Sequence, residues 1–178
     1  MKMILFDLGN TLEHDGALLP GALELLEAVS ELRDAQGNPV RMGLLSDFHL
    51  AQAADDIPVL RASYLAILEG LGIRRFFQPG ELSVTLSTDL GVYKPDERLF
   101  RLALEKLGGS CFGDVLFITE KLSHVQVARD LGLRAVHFKG PGEVVGDVAT
   151  LSEFVAIAAE HAAALTWLST HNQAASKK

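Results

Sequence analysis

The stretch Met3-Ile4-Leu5-Phe6-Asp7-Leu8-Gly9-Asn10-Thr11-Leu12 decides how the chain is read. Four apolar residues in succession, Met3 to Phe6, match a short strand buried on both faces; a strand with one wet face would alternate. The run stops on a carboxylate, Asp7. In open parallel sheets, ligands bind beyond the carboxyl ends of the strands, which is where Asp7 falls.

Outward from this strand the pattern alternates. Pro20 precedes a helical repeat of Ala22, Leu25, Leu26, Val29 and Leu32. Gln36 to Pro39 is a turn, and Val40 to Leu45 reads as a second strand ending at Ser46-Asp47. Residues 47–57 form a modest insertion, after which Pro58 opens a helix running to about Gly70. Leu82 to Leu86 reads as a short third strand. Asp96 is the expected N-cap of a helix carrying Leu99, Phe100, Ala103, Leu104 and Leu107, stopped by Gly108-Gly109. A strand at Val115 to Ile118, a helix at Leu122 to Leu131 and a strand at Arg134 to Phe138 follow. Thr150 and Glu153 form a capping-box pattern for a last helix over 151–168. The expected architecture is one α/β domain over residues 1–169, a Rossmann-like three-layer sandwich around a mainly parallel five-stranded sheet. Residues 170–178 read as a flexible tail.

The 178 residues suit one domain, and 48% apolar with 22% charged content is ordinary for a globular protein. With 16 basic and 23 acidic residues the formal charge is −7, which argues against a broad nucleic-acid-binding face. The single cysteine, Cys111, has no internal disulfide partner, which fits a reducing compartment. The N-terminal apolar run is too short for a signal peptide, and Glu160 and His161 interrupt the Ala-rich segment 154–168, so no membrane span is expected. The reading is a cytoplasmic protein.

The polar residues just past the predicted strand ends are Asp7, Ser46 and Thr119-Glu120, and Lys94 starts a helix of the same crossover series. Together they suit phosphate chemistry. A carboxylate can attack phosphorus, a serine hydroxyl can hydrogen-bond a phosphoryl oxygen, and a lysine offsets charge on the transferring group. A second carboxylate can help hold Mg²⁺.

This order of residues resembles the haloacid dehalogenase-like (HAD) superfamily over roughly residues 3–138. Ile4 to Leu12 looks like the first motif, Gly43-Leu44-Leu45-Ser46 the second, and Tyr93-Lys94-Pro95-Asp96 the third. Leu116 to Glu120 followed by Val125 to Arg129 looks like the fourth, and Gly132 to Val136 adds the usual ending. The resemblance implies a Mg²⁺-dependent phosphatase forming an aspartyl-phosphate on Asp7. Ser46, Lys94 and Asn10 would bind the phosphoryl group, and Asp7, the Gly9 carbonyl and Glu120 the metal.

The sequence departs from that pattern at definite places. The acid that protonates the leaving group, two residues after the nucleophile, is Gly9 here. The Gly-Asp of the fourth motif is Thr119-Glu120, and its second acidic position is His124. A general acid is commonly worth ~10²–10⁴ in rate, so poor leaving groups should suffer and aryl or acyl phosphates be preferred. Replacement acids to consider are His14, Asp15 and His124, each equally readable as a loop, cap or surface residue; His137 reads as a surface or rim residue. Asp47 stands where the family often has Asn.

Asp7 to Ser46 leaves room for a loop, a helix and a strand, so little or no cap domain is expected. Capless members act on large substrates or borrow a neighbouring subunit as lid. A phosphorylated small molecule or phosphoprotein is the expected partner, with a homo-oligomer possible. The rival reading is a catalytically inactive HAD-like binding or regulatory protein. A receiver-like domain is a weaker reading, and a dehalogenase would share the Asp nucleophile without the metal.

Overall fold

A computed structural model describes residues 1–142 and 144–164. The four-residue apolar run forms β1 (Met3–Phe6), the central strand of a five-stranded sheet. The chain then makes a small antiparallel hairpin, β2 (Glu13–His14) and β3 (Ala17–Leu18). Next come α1 (Ala22–Ser30), β4 (Arg41–Ser46) and α2 (Asp56–Gly70). A short helical turn, α3 (Gly80–Ser83), leads into β5 (Val84–Leu86), and another, α4 (Ser87–Leu90), follows it. The remainder is α5 (Glu97–Lys106), β6 (Val115–Thr119), α6 (Leu122–Asp130), β7 (Arg134–His137) and α7 (Leu151–Ala163).

The strand order is β5-β4-β1-β6-β7, and every pairing in this sheet is parallel. The chain fills one side of β1 first, with β4 and β5, and then crosses to the other with β6 and β7. The reversal beside β1 is a topological switch point, where open α/β sheets form their ligand crevice. Register fixes what gathers there. Phe6 is level with Leu44 on β4 and Ile118 on β6, so Asp7, Ser46 and Glu120 emerge side by side.

Each face of the sheet is covered by helices because the strands are apolar on both sides. Ile4 and Phe6 join Leu44, Leu116, Ile118 and Val136 in a core with α1, α2 and α7. Met3 and Leu5 join Leu45, Val115, Phe117 and Ala135 in a core with α5 and α6. A fully buried side chain of this kind contributes roughly 1.5–3 kcal/mol. Gly43 on β4 belongs to this packing: a Cβ there would lie 3.0 Å from both Leu5 Cδ2 and Leu107 Cδ1 and 3.1 Å from the Ser83 carbonyl. The three-layer α/β architecture is as the sequence predicts. Among the described residues there is no cap domain, and no helix is long and apolar enough to cross a membrane.

Several boundaries differ from the sequence reading. Residues 82 and 83 are helical rather than extended, and only Val84–Leu86 pairs, with β4. Pro58 lies inside the first turn of α2 rather than opening it; that turn has no intrahelical acceptor for its N–H groups, so proline is tolerated. The loop after β1 contains a hairpin whose turn, Asp15-Gly16, has positive φ at both residues. That is the usual chemistry of a two-residue hairpin turn. The capping box before α7 is modified. Thr150 accepts the Glu153 N–H, while the Glu153 carboxylate takes the Ala149 N–H rather than that of Thr150. The predicted end of the last helix, with Leu165 and Trp167, and the tail 170–178 lie outside the described residues.

Candidate functional site

Asp7 caps the central strand in a buried position, 5% exposed. Its Oδ1 accepts the Leu8 N–H at 2.9 Å. Its Oδ2 sits 2.6 Å from the Lys94 ammonium and accepts the Thr119 hydroxyl at 2.7 Å. Burial works to raise the Asp7 pKa. The Lys94 charge, the contacts of His124 and Lys94 and the Thr119 hydrogen bond outweigh it and hold the carboxyl well below the usual range. Asp7 is therefore a buried, permanently ionised carboxylate at neutral pH.

Lys94 arrives from the segment before α5, nearly ninety residues away in sequence. Its Nζ also donates to the Leu45 carbonyl at 3.0 Å, and its backbone N–H donates to Asp47 Oδ1 at 2.8 Å. Asp47 thus holds the main chain that delivers the lysine. Asp96, two residues on, takes no part in holding Lys94: it caps α5 and pairs with Arg98.

Thr11, which the sequence reading left without a role, ties the first loop to the fourth. Its hydroxyl donates to Glu120 Oε2 at 3.0 Å and accepts the Glu120 N–H at 3.1 Å. Its only signal was membership of the opening stretch. Gly140 completes this junction from the loop after β7, where a Cβ would lie 2.7 Å from the Asn10 carbonyl and 2.9 Å from Glu120 Cβ.

The histidines separate cleanly. His124, in the first turn of α6, is 3% exposed and points its Nδ1 at Asp7 Oδ2 from 3.8 Å, too far for a hydrogen bond. It neither caps the helix nor faces solvent. His14 lies on the exposed hairpin, with Nδ1 2.7 Å from Asn10 Oδ1 and Nε2 3.4 Å from Asp15. His137 is buried, not at the rim, because its ring nitrogen Nε2 reaches the Glu120 carbonyl at 2.8 Å.

Asp7, Gly9, Asn10, Ser46, Asp47, Lys94, Glu120, Lys121 and His124 line one small cavity of about 150 Å³. All six residues singled out from the sequence as catalytic, phosphate-binding or metal-binding are in this lining. His14 and Asp15 are not.

The metal centre implied by the resemblance is assembled only in part. Asp7, the Gly9 residue and Glu120 share the cavity, but Glu120 turns one carboxylate oxygen onto Thr11, and the place of a third acid is taken by His124. Among the described residues no group of three or more His, Cys, Asp or Glu side chains is arranged to hold a metal ion. Asp7 holds Lys94 and Thr119 on Oδ2, Glu120 holds Thr11 on Oε2, and a histidine stands where a third acid would, so these side chains are arranged more for an anion than for a resident divalent cation.

No family model matches the sequence, and no curated protein matches it. Solved structures match by fold. A HAD-superfamily hydrolase from Ehrlichia chaffeensis is similar with a TM-score of 0.64 at 15% identity, over 90% of this chain and 98% of that one. A HAD phosphatase from Thermococcus onnurineus gives a TM-score of 0.55 at 20% identity, over 79% of this chain and 57% of that one. A HAD-hydrolase from Bacillus subtilis, bound to magnesium, gives 0.58 at 16% identity, over 79% and 56%. The chain spans little more than half the length of the last two. At these identities the likeness establishes the fold, which is HAD-like.

Proposed function

We propose, from this HAD-like fold and the cavity at its switch point, that the chain is a phosphohydrolase acting through an aspartyl-phosphate on Asp7. The observation that carries the reading is a buried, ionised carboxylate paired with a lysine and opening, beside a serine, onto a cavity of phosphoryl size. Each carboxylate oxygen can accept about two hydrogen bonds. Oδ2 is occupied by Lys94 and Thr119, while among the described residues Oδ1 accepts only the Leu8 N–H and keeps a lone pair.

In the first half-reaction Asp7 attacks phosphorus, a P–O bond forms, and the bond to the leaving group breaks with its electron pair going to the departing oxygen. Lys94 and the Ser46 hydroxyl stabilise the phosphoryl oxygens as charge moves onto them. In the second, water attacks the aspartyl-phosphate, releases inorganic phosphate and regenerates the Asp7 carboxylate. No side-chain acid stands at Gly9 to protonate the departing oxygen. Substrates whose oxygen leaves unaided, aryl and acyl phosphates, are therefore favoured over alkyl esters.

The partner is a phosphorylated small molecule or phosphoprotein whose bulk stays outside the cavity, since no cap domain lies over it among the described residues. The test is release of p-nitrophenol from p-nitrophenyl phosphate by the wild type and by Asp7→Asn. Turnover that vanishes in the variant supports the reading. Turnover equal in both overturns it, and absence in both favours a binding protein of the same fold.

A further inference from the structure

One buried polar atom in the cavity has no partner. His124 Nδ1 lacks any hydrogen-bond partner among the described residues, although the side chain is 97% buried and lines the cavity with Asp7, Ser46 and Lys94. An orphaned buried polar group costs stability, so its persistence beside a cavity points to a ligand that satisfies it. The neighbouring carboxylates are already engaged: Asp7 with Lys94 and Thr119, Asp47 with the Lys94 N–H, Glu120 with Thr11. Besides the free lone pair on Asp7 Oδ1 that the proposed attack uses, the groups facing an incoming ligand include four donors: the His124 ring nitrogen when protonated, the one remaining proton of the Lys94 ammonium, the Ser46 hydroxyl and the Lys121 side chain.

Donors gathered beside carboxylates that already hold Lys94, Thr119 and Thr11 suit an anion. An acidic side chain at position 124 would add a ligand for a cation, whereas histidine carrying a proton on Nδ1 adds a hydrogen bond to a phosphoryl oxygen in either its neutral or its charged form. We infer that this cavity binds a tetrahedral phosphoryl group without a divalent cation, with His124 and Lys94 donating to the oxygens that a metal would otherwise hold. The inference rests on the proposed placement of the phosphoryl group over Asp7.

The experiment is binding of inorganic phosphate to the whole chain by calorimetry and by ³¹P line broadening, in excess EDTA and then in excess Mg²⁺. The expected Kd is the same within about twofold in the two media. Binding that appears only with Mg²⁺ overturns the inference. His124→Leu, which removes the donor, should weaken phosphate about tenfold or more, as for a hydrogen bond to a charged group. His124→Gln, which keeps a donor, should recover most of the loss, and an unchanged Kd in His124→Leu also overturns the inference. The wild-type comparison needs no variant to fold. The reverse substitution sharpens it: His124→Asp should make phosphate binding depend on Mg²⁺. The two readings fail separately. Mg²⁺-dependent phosphate binding together with Asp7-dependent turnover removes only the inference. Metal-free phosphate binding without turnover removes only the hydrolase reading.

Discussion

Both ends of the central sheet carry a buried lysine, aspartate and histidine, and they are built for opposite purposes. At the amino end, Lys2 donates to Asp114 at 2.9 Å, and the ring nitrogen Nε2 of His161 contacts the Asp114 carbonyl at 3.1 Å. Among the described residues no buried side-chain atom there lacks a hydrogen-bond partner, and α7, which carries His161, packs over it. At the carboxyl end, Lys94 and Asp7 pair just as closely, but His124 stops short at 3.8 Å and the trio borders a cavity. The same residue types thus make a fastening whose lysine and aspartate pair within hydrogen-bond reach of the histidine's backbone partner, and a candidate reaction centre whose histidine stops short. Burial of ionisable groups is a poor guide to function by itself; an unmatched atom beside open space is a better one.

The comparison breaks first at Asp7. Replacing it by Asn should lower phosphate release by about 10⁴-fold or more, as for loss of a catalytic nucleophile, and it also leaves the buried Lys94 ammonium without its carboxylate, which lowers stability. Steady-state assay alongside a thermal melt separates the two effects. The matching change at the other end, Lys2→Met, strands the buried Asp114 charge beside its remaining contacts and should cost about 3–5 kcal/mol of stability in denaturant titration. The activity of the folded fraction should stay at the wild-type level. A Lys2→Met protein that loses turnover but not stability would erase the distinction drawn between the two ends.

Acid should reach the amino end in a predictable direction. Burial, reinforced by the Lys2 and Arg134 charges and only partly opposed by Asp114, holds the His161 pKa at about 4, against 6.5 for the free side chain. Between those values the unfolded chain binds the proton and the folded chain does not, so stability is complete above pH 6.5 and declines as pH falls towards 4. The loss attributable to this residue is on the order of 3 kcal/mol, and His161→Gln should flatten that part of the stability profile. Asp7 does the reverse: its lowered pKa keeps the carboxylate charged through the same window, so acid loss of activity above about pH 4 does not come from the nucleophile. The smallest effect is expected from Thr11→Val, which removes the hydroxyl shared with Glu120 and should cost about 1 kcal/mol.

Much of this arrangement was legible in the sequence because strand burial and strand ends leave strong local marks. Met3 to Phe6 reads as a two-faced strand and is one, and Asp7, Ser46 and Glu120 converge because parallel register forces it, with Lys94 delivered by the segment before α5. The misreadings share a cause: local pattern says nothing about which long-range neighbour wins. His137 looked peripheral because it ends an edge strand, yet the Glu120 carbonyl draws it inward. His124 looked like a cap because it begins a helix, yet the cavity sets its direction. Leu82 and Ser83 read as strand from their composition, but Ser83 hydrogen-bonds back to the Pro79 carbonyl through both its backbone N–H and its hydroxyl, closing a helical turn. The Asp15-Gly16 hairpin was missed because its strands are two residues each, too short to show alternation.

The 150 Å³ cavity carries a last consequence. With no cap domain among the described residues, most of the molecule attached to a phosphoryl group held there would lie outside the cavity, and little of its shape would be measured. Discrimination between two phosphate esters would then lie in how readily each oxygen departs. Across a series of aryl phosphates, log(kcat/KM) should follow leaving-group basicity along one Brønsted line, with bulky and slender members falling together.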